Sequence, residues 1–129
     1  MIVDTSAVVA VIKAEPGWEA LDNTLAHSDA PRMSAGTYQE LTIVVDQARD
    51  PALSRQLDQL LDSWGVVIEP VTADLARVAR NAYRDFGRGS GHSARLNFGD
   101  CFAYALASQS GEPLLFVGAD FSETDLTPA

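Results

Sequence analysis

Three acidic residues of this chain stand at spacings where a carboxylate could do chemistry. Asp4 closes the run "MIVD" and stands directly before "TSAVVAVI". Glu40 lies three residues after Thr37 in "SAGTYQEL". Asp100 lies three residues after Asn97 in "LNFGDCFAYALA" and one before the only cysteine, Cys101. Each also has a plain structural use. Asp4 suits a helix N-cap, and the other two have the spacing of a capping box. Together they place three carboxylates at helix starts. Two of those helices directly follow expected strands, and such starts gather at one edge of a parallel sheet, where α/β proteins bind ligands. Carboxylates that meet there repel one another unless a cation neutralises them. An oxygen-only donor set suits Mg²⁺ or Mn²⁺ rather than zinc. Such an ion neutralises charge on a phosphate and acidifies a bound water, which is the chemistry of phosphodiester hydrolysis.

The elements that must position these acids are legible from pattern. "MIVD", "PRMSA", "VVIEPV" and "PLLFVG" read as short strands. "TSAVVAVIKAE" reads as a helix stopped by Pro16-Gly17, and "WEALDNTLAHS" has apolar residues at helical spacing. "TYQELTIVVDQARD" is expected to be helical up to Pro51. "ALSRQLDQLLDSWG" sets Leu53, Leu57, Leu60, Leu61 and Trp64 on one stripe, with Gly65 as a stop. "TADLARVARNAYRDFGRG" and "FGDCFAYALASQSG" are two more helices, separated by a loop "SGHSARLN", and "ADFSETDLTPA" is a tail. Strands alternating with helices predict a three-layer α/β/α arrangement around a parallel sheet of four to five strands. The length of 129 residues suits one domain spanning residues 1–129.

Composition narrows the functional classes. The chain carries −9 at a pI near 4.4, which argues against indiscriminate nucleic-acid binding by its whole surface. The charge is uneven. Arg77, Arg80, Arg84, Arg88 and Arg95 face a single acid, Asp85, within residues 77–95. That basic segment immediately precedes Asp100, and arginine matches phosphate geometry. No apolar run approaches the roughly 20 residues of a membrane span. The first residues have no basic stretch, and Asp4 interrupts their apolar run, so neither a signal peptide nor a membrane location is expected. One cysteine cannot form an internal disulfide, which fits a reducing cytoplasm.

The motifs "MIVDTSAVVAVI", "SAGTYQEL", "LNFGDCFAYALA" and "PLLFVGADF" together resemble the PIN-domain ribonucleases, and most closely the VapC-type toxins of bacterial type II toxin–antitoxin pairs. The resemblance runs from Met1 to about Asp125. It implies a PIN-like fold and a Mg²⁺-dependent endoribonuclease, with Mn²⁺ as the substitute ion, acting on structured RNA such as tRNA or rRNA. It also implies a VapB-like antitoxin, homodimerisation and, with the antitoxin, a heterotetramer or larger assembly. Asp4 and Asp100 match the family's metal ligands and Glu40 its third acid. The hydroxyls of Thr5 or Ser6 match a position that hydrogen-bonds the site. Many relatives carry a fourth acid or an Asn where Gly118 stands here. Asp120 is the substitute, with Asp125 as the alternative. Arg84, Arg88 and Arg95 are the expected phosphate contacts, and the "GRGSGH" loop is expected to be mobile without RNA.

Rival chemistries fit less well. A haloacid-dehalogenase-type phosphatase needs a second Asp where Ser6 stands. A receiver domain needs a late lysine, and the only lysine is Lys13. A cysteine hydrolase would pair Cys101 with His27 or His92, but Cys101 has the setting of a small core residue. The non-enzymatic alternative is an acidic α/β protein-binding module, a PIN domain without catalysis.

Overall fold

A computed structural model describes residues 1–129. Its elements run β1 (Ile2–Val3), α1 (Thr5–Ile12), α2 (Trp18–Ala26), β2 (Arg32–Ser34), α3 (Ala35–Asp46), α4 (Pro51–Ser63), β3 (Val67–Glu69), α5 (Ala73–Phe86), α6 (Phe98–Ser110) and β4 (Leu114–Leu115). The four strands form one parallel sheet in the order β3-β2-β1-β4. This is the α/β/α arrangement expected from the alternation of strands and helices, with four strands, each only two or three residues long.

Successive strand residues point to opposite faces, and this builds the layers. Ile2 enters an apolar cluster with Leu114, Leu96, Phe121 and the inner faces of α5 and α6. Val3 enters a second cluster with Met33, Leu115 and residues of α1 to α4. Both side chains are fully buried, so each strand needs a helical layer on either side. α6 is buried along most of its length, from Gly99 to Ala107, whereas α5 buries only Leu75 and Ala82. This difference explains why the α6 sequence is continuously apolar and that of α5 is studded with arginines.

One local expectation changes, and two segments gain detail. α3 begins at Ala35, capped by Ser34 through the Gly36 amide, so Glu40 falls in the second turn and the Thr37–Glu40 capping box does not form. Ser34 ends β2 and takes the cap first, because its hydroxyl already sits at the strand end. Part of the loop between α5 and α6 packs onto the body of the protein. Arg88 and Leu96 are hydrogen-bonded across it, Ala94 and Leu96 are buried, and the His92 ring packs edge-on against Phe86 at 4.9 Å. The tail folds back onto β4, where the Leu114 amide donates to the Thr127 carbonyl at 2.9 Å.

Candidate active site

Asp4 ends β1 and caps α1. Its Oδ2 accepts hydrogen bonds from the Ser6 amide at 3.0 Å and the Ser6 hydroxyl at 2.7 Å. Its Oδ1 is buried and has no partner. Burial drives the Asp4 pKa up. The Ser6 hydrogen bonds oppose that shift, and the charge of Glu40 adds to it. Ser6 also accepts from the Val117 amide at 3.0 Å, tying the start of α1 to the segment that leads from β4 to Asp120.

Asp100 is held by the capping box its spacing predicted. The Asp100 amide donates to Asn97 Oδ1 at 2.8 Å, and the Asn97 amide donates to Asp100 Oδ2 at 2.9 Å. As in Asp4, one oxygen is committed to the helix start and Oδ1 accepts no hydrogen bond. The Asp100 pKa is pushed up to about 6, first by burial and then by the charges of Asp4, Asp120 and Glu40, against the Asn97 hydrogen bond. Asp100 thus lies within the fields of Asp4, Asp120 and Glu40.

Glu40 arrives by a different route. A helical side chain leans toward the helix N-terminus, so a glutamate in the second turn reaches back toward the sheet edge. There its Oε1 accepts a hydrogen bond from the Thr5 hydroxyl at 2.7 Å, joining α3 to α1. The acids share one edge without forming a closed cage, since no three acidic, histidine or cysteine side chains are grouped closely enough to hold one ion among them. A hydrated Mg²⁺ does not need such a cage. It binds through one or two carboxylates and keeps waters and substrate oxygens in its remaining positions. The free Oδ1 atoms of Asp4 and Asp100 fit that demand, and every donor at the edge is oxygen.

The other named residues sort clearly. Asp120 is exposed and accepts no hydrogen bond, but its charge acts on Asp100. Asp125 instead accepts from the Tyr104 hydroxyl at 2.7 Å, and its charge is not among those acting on Asp100. Gly118 has φ +105°, a backbone in which a side chain is strained, so an acid at that position would carry a conformational cost. Cys101 donates to the Asn97 carbonyl, and burial pushes its thiol up to about 11, so it is a core residue and a poor nucleophile. Arg84 is paired with Asp85 at 3.0 Å and Arg77 with Asp74 at 2.8 Å, while Arg88 and Arg95 are exposed without an acidic partner. Two contributors went unnoticed in the sequence. Ser34 sets where α3 starts, and Gly99 lies directly against the Glu40 carboxylate. A capping serine at a strand end was readable. The approach of α3 to α6 was not.

Known proteins share both the fold and the sequence. A crystal structure of VapC20 from Mycobacterium tuberculosis, described as a sarcin–ricin-loop-cleaving toxin, superposes with a TM-score of 0.75, covering 99% of this chain and 97% of that one at 18% identity. Residues 1–126 match the PIN domain family model. Ribonuclease VapC42 of Mycobacterium tuberculosis is 54% identical over the whole of this chain and 98% of its own length. Ribonuclease VapC28 of the same organism is 53% identical over the whole chain and 97% of its own length. The chain belongs to the PIN-domain family, among its VapC ribonucleases.

Proposed function

We propose that this VapC-type ribonuclease hydrolyses RNA phosphodiester bonds with a divalent cation, Mg²⁺ or Mn²⁺, held between Asp4 and Asp100. The observation that carries the reading is the buried, unpartnered Asp4 Oδ1 beside a second carboxylate whose own ionisation is suppressed. An isolated buried carboxylate oxygen is costly, and a cation offsets that cost. When bound, the ion stabilises charge on the phosphate under attack and lowers the pKa of a water. Ser6 fixes the Asp4 rotamer, and Asn97 fixes that of Asp100. Glu40, held by Thr5, and Asp120, free at the rim, supply the further carboxylates that orient waters and the attacking group. The exposed Arg88 and Arg95 contact phosphates of the incoming RNA. Arg84 joins them only if Asp85 releases it.

The same charge balance describes the partner. A VapB-like antitoxin that directs an Arg or Lys into the acid edge would neutralise it as the metal does, and so inhibit by displacement. The chain acts on structured RNA, tRNA or rRNA, as a homodimer in the cytoplasm. It forms a heterotetramer or larger assembly with the antitoxin. The deciding experiment pairs cleavage with thermal unfolding. Mn²⁺ should raise the melting temperature of the wild-type protein, because an ion bound only by the folded state stabilises it. Asp4→Asn and Asp100→Asn should each lose both that shift and RNA cleavage. A variant that keeps both after metal stripping and reloading removes its residue from the ligand set.

A further inference from the structure

Helices α3 and α6 interlock through a glycine on each. A Cβ on Gly36 would overlap the Phe102 ring, and a Cβ on Gly99 would overlap Glu40 Oε2 and Cδ and lie 2.7 Å from Oε1. The two cases differ in what occupies the space. At Gly36 it is a ring that packs against Phe98. At Gly99 it is the end of a flexible acid whose other oxygen is already fixed by Thr5. Gly99 is buried, helical, and free of the positive φ that would call for glycine on backbone grounds. Its backbone therefore accepts an L-residue, and the three atoms nearest to an added Cβ all belong to the Glu40 carboxylate.

We propose that Gly99 is a positioning residue for Glu40, and that the missing side chain at position 99 is the seat that keeps the third acid at the edge shared with Asp4 and Asp100. The proposal rests on the reading of that edge as the active site. Glu40 is held from two sides. The Thr5 hydroxyl draws Oε1 toward α1, and the bare Cα surface of Gly99 admits Oε2 beside the residue that precedes Asp100. A methyl group at position 99 leaves the Thr5 hydroxyl in place but removes the room, so the carboxylate swings off the edge toward solvent. Helix α6 loses nothing by the change, because Ala is the better helix former.

The test is a double-mutant cycle on the full-length protein with Gly99→Ala, Glu40→Gln and the combined variant. It reads Mn²⁺ affinity by calorimetry, cleavage rate and the metal-free melting temperature. Gly99→Ala should lower Mn²⁺ affinity and cleavage by about 10- to 100-fold, the usual effect of losing a group that orients a metal site. Its metal-free melting temperature should stay at or above that of the wild type. In the Glu40→Gln background the same substitution should change affinity and rate by less than about twofold, because its target is already gone. Gly36→Ala, a clash with packing alone, should lower the melting temperature and act independently of Glu40. Equal losses from Gly99→Ala with and without Glu40 would overturn the proposal, as would a marked drop in its melting temperature or unchanged affinity and rate. A crystal structure of Gly99→Ala with the Glu40 carboxylate still over residue 99 would overturn it too. Failure here is separable from failure of the site itself. If Asp4→Asn is inactive while Gly99→Ala is fully active, only the role of Gly99 falls.

Discussion

The two ends of the sheet treat their acids in opposite ways. At the amino end, Glu112 stands just before β4 and is paired with Arg32, the first residue of β2, at 2.9 Å. At the carboxyl end, Asp4, Glu40, Asp100 and Asp120 have no cationic partner within salt-bridge distance. The amino end uses charge to fasten strands. There Asp4, Glu40 and Asp100 are fastened by neutral donors instead: the Ser6 amide and hydroxyl, the Thr5 hydroxyl and the Asn97 amide. Neutral donors fix the position of a carboxylate without cancelling its charge. The difference shows which acids serve the fold and which leave a field for something from outside.

That contrast breaks most sharply at the metal ligands. Asp4→Asn and Asp100→Asn should each lower cleavage by roughly 1,000-fold or more, since several kcal/mol of charge stabilisation disappears. Neither should unfold the protein, because Asn caps a helix about as well as Asp at position 4, and Asn at position 100 keeps a side-chain oxygen to accept from the Asn97 amide. The metal-free melting temperature should hold or rise, because an uncompensated charge has gone. The inverse substitution at the other end, Glu112→Gln, should leave cleavage unaltered.

Acidity sharpens the comparison next. The folded-state pKa of Asp100 lies at about 6, above its ordinary value of 3.8, so the folded chain favours the protonated form. Its contribution to stability is therefore complete below about pH 4 and is lost as the pH rises through 6. Thermal unfolding of the metal-free protein should show stability falling across that window, and Asp100→Asn should flatten the fall. Metal binding demands the ionised form, so Mn²⁺ affinity and cleavage should rise through the same window. Asp4, whose pKa is also raised, acts in the same direction.

A smaller effect is expected at the amino end. Arg32→Ala should cost about 1 kcal/mol by chemical denaturation, the upper range for a partly exposed ion pair, with no change in Mn²⁺ affinity. The smallest effect belongs to the arginine segment. Arg88→Ala with Arg95→Ala should reduce the salt dependence of RNA binding by roughly one slope unit for each phosphate that goes unneutralised. Metal affinity should not fall, because removing positive charge near carboxylates does not weaken their hold on a cation. An unchanged salt slope would assign RNA entry to another surface.

Sequence alone determined the order of elements and the two acids whose placement is local. Asp4 follows a strand and begins a helix, and Asp100 closes a capping box with Asn97. Both are fixed by residues no more than three positions away, so spacing was enough to place them. The amphipathic stripe of α4 and the continuous apolar run of α6 were legible for the same reason, because periodicity records burial directly. Asp125 and Glu40 were decided by tertiary structure. Asp125 lies near Asp120 in sequence, yet the chain turns at Gly118 and beyond and delivers it to Tyr104. The spacing of Glu40 also suited a capping partner of Thr37, but its hydrogen bond runs to Thr5 on another helix and it lies against Gly99 on a third. Spacing within a helix says which face a side chain shares. It says nothing of which other helix meets that face, or of how closely, and those depend on how the layers pack across the sheet.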